Sequence, residues 1–211
     1  MSDYTWDQVD VEESITASDQ KQSDSLDVQT PVGKLLCSVA ECVPVEKNFD
    51  KYTCMAAKLK MKINGLVKLE QPLLNADGTP VKREGEIVMK VQDIPAEKKS
   101  EYEALFLGQF IFDEILLFHP KEKEATKRRR LFVAKKLGLI TPSAQSIGSK
   151  EWAGAPGKDV IVTTEWNAWK DKNTGDLKRN VKVGWSGYEF ATDTAIDPII
   201  SNPYVNDFSG I

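Results

Sequence analysis

The pattern of hydrophobic and polar residues predicts two strands early in the chain. Residues 34–45 form a mostly apolar run that indicates a well-buried first strand. Residues 52–63 alternate most regularly, with apolar side chains on one face and lysines on the other. A lysine row on a sheet face is suited to contacting nucleic-acid phosphates, and a solvated outer face is the alternative interpretation. The row consists of Lys58, Lys60 and Lys62.

Further along the chain, the pattern predicts an insertion, a third strand and one helix. Residues 64–107 contain a predicted hairpin, turning near Gly78, and then a charged segment. Residues 109–118, rich in Phe, Ile and Leu, predict the third core strand. Residues 122–137 predict the helix, and Gly138 is its C-terminal stop signal. The later part of this helix is basic.

Residues 157–190 hold the most informative pattern, because they predict a hairpin that combines aromatic rings with positive charge. Two alternating runs, 160–166 and 180–188, flank a polar turn containing Gly175. Proteins hold unpaired nucleic acid by stacking bases on aromatic rings and placing cations near phosphates. The hairpin is therefore the candidate binding element.

The candidate site residues are of two kinds. The candidate rings are Trp166, Trp169, Trp185 and Tyr188. The candidate phosphate contacts are the three lysines of the second strand with Lys170, Lys172, Lys178, Arg179 and Lys182. Ordinary core packing is the alternative for each ring. An odd spacing places Trp166 and Trp169 on opposite faces of a regular strand, so the pattern leaves open which rings face outwards.

The order strand, strand, insertion, strand, helix, strand, strand predicts the oligonucleotide-binding (OB) fold. This is a mainly β fold with one helix, in which five strands form a Greek-key barrel. The predicted domain spans residues 31–190, with the insertion at 64–107. The segments 1–30 and 191–211 are acidic, lack a sustained period and are expected to be disordered tails.

The charge distribution along the chain also favours nucleic-acid binding. The whole chain has a net charge of −4, but residues 1–30 contain eight acids and one base, and residues 191–211 contain three acids and no base. Residues 31–190 therefore hold 27 Lys and Arg against 21 Asp and Glu. A basic body with acidic ends is typical of a nucleic-acid-binding protein, although chance variation in surface charge is the alternative.

Composition argues against several other classes. No apolar run approaches the ~20 residues of a membrane helix, and the acidic N-terminus does not resemble a signal peptide, so we expect a cytoplasmic protein. The cysteines are odd in number and lack zinc-site spacing, which favours buried free thiols: Cys37, Cys42 and Cys54. No phosphate loop or nucleophile and base pair is evident. We expect no catalysis, cofactor or metal.

Three segments resemble a known family: YTCMAAKLKMKI, RRLFVAKKLGLI and GKDVIVTTEWNAWKDKNTGDLKRNVKVGWSGYEF. The family consists of phage and prophage single-stranded DNA-binding proteins, and the resemblance extends over residues 31–190. Its recognisable parts are the GK-x-V-x-V opening and the polar turn followed by a basic residue and Asn. The long acidic N-terminal segment and the large insertion depart from the family pattern.

The resemblance implies a protein that coats single strands during phage DNA replication or recombination in the host cytoplasm. The C-terminal NPYVNDFSGI loosely resembles the acidic, Phe-ended tail by which bacterial single-strand binders recruit partners. Replication or recombination proteins are therefore candidate partners of the acidic tails, and a homo-oligomer is left open. The alternative function is a phage structural component, or an interaction protein that binds a host factor through its acidic tail.

Overall fold

The computed structural model describes residues 30–49, 51–170, 172 and 174–193. The protein is mainly β. In chain order its strands are β1 (Gly33–Phe49), β2 (Tyr52–Pro72), β3 (Lys82–Arg83), β4 (Glu86–Ile87), β5 (Met89–Asp93), β6 (Phe110–Phe118), β7 (Asp159–Lys170) and β8 (Leu177–Phe190). The helices are α1 (Ala96–Phe106) and α2 (Glu124–Lys136), and a short 3-10 helix spans Lys150–Gly154.

The first two predicted strands are present and form a long antiparallel pair, and both continue beyond the predicted ends. The period of two buries one face of β2, so that Leu59 and Met61 are fully enclosed in the core while Lys62 is exposed. β6 pairs with the first half of the outer edge of β2, and β5 pairs with the second half. The second half of β2 and β5 are thus the two arms of the predicted insertion hairpin.

The C-terminal hairpin joins the sheet through β1. Residues Gly33–Ser38 of β1 pair with Asp159–Thr164 of β7, and β7 pairs with β8. Beyond Thr164, β7 still pairs with β8, but within the described residues no strand pairs with its other edge. The distal half of the hairpin therefore extends past the sheet.

The predicted closed barrel is not what the structure contains. The sheet runs in the order β5-β2-β1-β7-β8, with β6 also on β2, and the described parts of β6 and β8 do not pair with each other. Arginine side chains of α2 bind carbonyl groups along this seam instead. Arg130 donates to the carbonyls of Leu116 and Leu117 in β6, and Arg129 donates to the carbonyls of Glu114 and Trp185. These side chains bind carbonyls at the place where a strand would otherwise pair.

The prediction of a single helix is wrong. α2 matches the predicted helix closely, and Gly138, with a φ of +65°, ends it in the left-handed conformation that favours glycine. α1 is an additional helix, formed by the charged segment of the insertion. None of its residues is fully buried, and its apolar face consists of Tyr102 and Phe106, which pack partly against the core. A face of two residues is too short for a helical period to be recognised in the sequence.

The core lies between the inner face of the sheet, α2 and the 3-10 helix. Val133 and Ala134 of α2 are buried there, as are Leu137 at its C-cap and Trp152. The three cysteines are free: Cys37 and Cys54 are buried, as predicted, and Cys42 is half-buried.

The acidic tails predicted at 1–30 and 191–211 lie, apart from Thr30 and residues 191–193, outside the described residues. Among the helices that the structure describes, none is both long and apolar enough to span a membrane.

Candidate nucleic-acid interface

The lysine row of β2 lies beside two phenylalanines of β6. Lys60 pairs in register with Phe112, and Lys62 pairs with Phe110. The Lys60 Nζ atom is 4.7 Å from the centroid of the Phe110 ring, and the Lys58 Nζ atom is 5.7 Å from that of Phe112. Cations and rings therefore alternate on one sheet face, the mixture that suits an unpaired strand.

Sequence reasoning missed both phenylalanines, because it assigned their strand to the core as a whole. A signal was present: Phe110 and Phe112 occupy alternate positions, and the residues of the opposite phase, Ile111 and Ile115, are buried. The Phe112 side chain is 40% exposed. A period of two within an apolar run could have separated the two faces.

Acidic side chains neutralise part of the lysine row. Lys60 forms an ion pair with Glu41 at 3.4 Å, and its side chain is only 17% exposed. Lys47 of β1 forms an ion pair with Glu114. The Lys47–Glu114 pair is exposed, and pairs of this kind are weak, whereas the Lys60 side chain is largely covered as well as paired. We infer that Lys58 and Lys62 are better placed than Lys60 for a phosphate.

Trp185 stands on a bulge in β8. Val162 pairs with Tyr188 and Thr164 pairs with Val183, so residues 184–187 lie opposite the single residue Thr163. Glycine is required at position 187, because a Cβ atom there would lie 2.5 Å from the carbonyl oxygen of Thr163. The bulge leaves the Trp185 side chain 57% exposed. The regular strand predicted for 180–188 is therefore interrupted at the GWSG segment.

Arg129 holds this bulge against β6. Its guanidinium donates to the Asp113 carboxylate at 2.7 Å, to the Glu114 carbonyl at 3.0 Å and to the Trp185 carbonyl at 3.3 Å. The guanidinium carbon also lies 5.1 Å from the centroid of the Trp185 ring, which is cation–π range. One largely buried side chain thus connects α2, β6 and β8.

Tyr188 is not a surface ring. Its side chain is fully buried, and its hydroxyl donates a hydrogen bond to Asp113 at 2.7 Å. Burial, together with the neighbouring Asp113 carboxylate, raises the pKa of Tyr188 well above its usual value. Burial also raises the pKa of Asp113, against the opposing effect of the Arg129 guanidinium. The ring in this position has no face to offer a base, which corrects its selection as a stacking candidate.

The two tryptophans of β7 differ in environment. Regular pairing from Thr164 to Lys170 places them on opposite faces of the hairpin. The Trp166 indole donates to Glu70 at 2.8 Å, and the Arg179 guanidinium lies 4.6 Å from its ring centroid. Trp169 is 41% exposed and pairs with Lys178. Trp166 is thus already engaged within the protein, whereas Trp169 offers open ring surface.

Lys178 and Lys182 lie on the same face of the hairpin as Trp169. Lys178 pairs with Trp169 directly, and Lys182 is an even number of positions from Lys178. Lys182 forms an ion pair with Glu165 at 3.6 Å on that face. Arg179 and Lys170 belong to the opposite phase, with Trp166, while Lys172 is exposed in the turn. The predicted phosphate contacts of the hairpin are therefore divided between its two faces.

A cleft connects one hairpin face with the lysine row. It has a volume of about 420 Å³ and lies over the seam between β6 and β8. Its lining includes two lysines from distant parts of the chain and two exposed rings. The lining residues are Lys58, Phe112, Asp113, Glu114, Arg129, Lys182, Val183 and Trp185. The structure thus brings the start of the lysine row together with Lys182 and Trp185. It does not bring Trp166 into this cleft.

Comparison with known proteins adds no assignment: neither a protein-family model nor a curated protein sequence matches this chain.

Proposed function

We propose that this protein binds single-stranded DNA without catalysing a reaction and largely without reading its sequence. The observation that carries the proposal is the cleft, in which Lys58 and Lys182 accompany the exposed rings of Phe112 and Trp185. Cations can lie against phosphates there while the rings stack on bases. Stacking tolerates any sequence because every base has a π face, and it contributes ~1–3 kcal/mol per base.

The strand order supports an OB-like architecture as part of this proposal. The order β6-β2-β1-β7-β8, with α2 between β6 and β7, is that expected for an OB fold left open between its third and fifth strands. OB folds bind oligonucleotides on the face of their second and third strands. These strands are β2 and β6 here, and they provide Lys58 and Phe112.

The biological setting we propose is phage DNA replication or recombination, in the cytoplasm of the host. It rests on the resemblance of residues 31–190 to phage single-stranded DNA-binding proteins. In that setting the protein coats exposed single strands, and the acidic tails are the segments that would recruit replication or recombination proteins.

The test is a titration of fluorescently labelled oligo(dT), oligo(rU) and duplex DNA of equal length, at two salt concentrations. We expect oligo(dT) to bind more tightly than the duplex, since stacking needs unpaired bases, and its affinity to fall as salt rises. Equal affinity for duplex and single strand would contradict the stacking mechanism. The oligo(rU) titration establishes whether the sugar matters.

A second candidate is an interaction protein, a phage structural component or a ligand of a host factor. The observation that favours it is the apolar surface of the insertion, where Met89 and Val91 are exposed on β5 at the edge of the sheet and Ile87 is exposed on β4 just before it. Such edges can receive a strand from another chain. A protein with this role alone would give no salt-dependent shift of oligo(dT) in a gel.

A further inference from the structure

The seam between β6 and β8 contains a largely buried hydrogen-bonded network centred on Asp113. Its carboxylate accepts hydrogen bonds from both Arg129 and Tyr188, each at 2.7 Å. The side chains of Arg129 and Asp113 are only 10% and 12% exposed. A charged side chain this deeply buried is stable only when it is paired and hydrogen-bonded. The position of Arg129 is therefore fixed by contacts on β6.

The same guanidinium reaches Trp185 in two ways, through its ring and through its backbone carbonyl. Trp185 needs such support, because residues 184–187 do not pair with β7. An exposed tryptophan on an unpaired segment would otherwise lose conformational entropy on binding a ligand. Preorganisation of a binding group increases affinity by removing that cost.

We propose that Arg129 is a positioning residue for single-strand binding, which rests on the proposed function above. It holds the Trp185 ring at the wall of the cleft, so that the uncovered surface of the ring receives one unstacked nucleobase. Phe112 lines the same cleft and provides its second ring. Arg129 does not contact a phosphate, because its charge is paired with Asp113. Lys58 and Lys182 neutralise the backbone instead.

The experiment is a double-mutant cycle on oligo(dT) affinity with Arg129→Lys and Trp185→Ala. Lysine keeps the charge but lacks the planar fork that binds several acceptors at once. We expect each single change to weaken binding by at least about fivefold, and Arg129→Lys to leave the salt dependence unchanged. The double variant should bind no more weakly than Trp185→Ala alone, since Arg129 acts through that ring.

Arg130→Lys is the matched control. Arg130 is the neighbouring residue of α2 and also binds carbonyls of β6, but its partners are the carbonyls of Leu116 and Leu117 and the carboxylate of Glu122. We expect this variant to bind oligo(dT) with the affinity of the wild-type protein, whether or not its melting temperature changes. A purely structural role of the seam would weaken binding in both arginine variants alike.

Three results would overturn the positioning role: wild-type affinity in Arg129→Lys, an equal loss in Arg130→Lys, or losses that multiply in the double variant. If Arg129→Lys does not fold, Asp113→Asn with Arg129→Gln replaces it in the same cycle, because that pair leaves no lone buried charge. Absence of single-strand binding by the wild-type protein would instead refute the proposed function.

Discussion

The hydroxyl of Tyr188 donates a hydrogen bond to the carboxylate of Asp113 at 2.7 Å, and this contact links β8 to β6 where the sheet is not closed. Tyr188 is the most deeply buried ring near the cleft, and Trp185, three positions earlier, is among the most exposed. The bulge between them separates a structural ring from a ring available for binding.

Tyr188→Phe should destabilise the fold without changing DNA binding. A hydrogen bond to a charged group contributes about 1.5–3 kcal/mol, and its loss leaves a buried carboxylate with one donor fewer. The measurement is urea unfolding, with oligo(dT) affinity measured under native conditions. Tyr102→Phe, outside the seam, serves as control. A clear loss of affinity with unchanged stability would mean that Tyr188 contacts the strand after all.

Phe112→Ala and Trp185→Ala should each weaken oligo(dT) binding by ~1–3 kcal/mol, the contribution of one stacked base. Phe118→Ala is the matched control, because Phe118 lies on the same strand, is 55% exposed and is not part of the cleft lining. Affinity is measured by anisotropy of labelled oligo(dT). Equal losses in all three variants would show that the cleft is not the stacking site.

Changing Lys58, Lys60 and Lys62 together to Gln should weaken binding and flatten its salt dependence. Each single-strand phosphate contact contributes about 0.7 to the slope of log affinity against log salt. The control variant changes Lys82, Arg83 and Lys90 to Gln. It removes the same amount of positive charge, but from the insertion. If the two variants have the same slope, the lysine row is only a solvated face and the single-stranded DNA binds elsewhere.

Several features of the fold and the candidate site follow from the alternation of apolar and polar residues. The remaining features depend on contacts between residues that are far apart in the chain. The period of two in residues 52–63 predicts both the buried face of β2 and its lysine row. By contrast, the burial of Tyr188 depends on Asp113, a residue 75 positions away in the chain. The GWSG bulge changes the register between β7 and β8, and the local sequence pattern does not indicate that change. The open seam likewise depends on side chains of α2, which no strand pattern reveals.

The thiols of Cys37 and Cys42 should react slowly with iodoacetamide at pH 8. Burial raises the pKa of Cys37 to about 12 and that of Cys42 to about 11. Only the thiolate reacts, and it forms only as the pH approaches the pKa, so the reactive fraction of Cys37 at pH 8 is about one in ten thousand. Mass spectrometry should find Cys42 modified before Cys37 as the pH rises. Rapid labelling of Cys37 in folded protein would contradict its burial.

Removing residues 1–30 should leave the domain folded and strengthen its binding to DNA. The segment holds eight acids and one base, a composition that cannot bury a core, and its charge competes with phosphates for the lysines of the cleft. The gain should be largest at low salt and shrink as screening increases. A matched full-length variant, with the eight acids changed to Asn or Gln, separates charge from length. If it binds as tightly as the truncated protein, the competition is electrostatic. A large fall in melting temperature after truncation would instead show that the segment belongs to the folded domain.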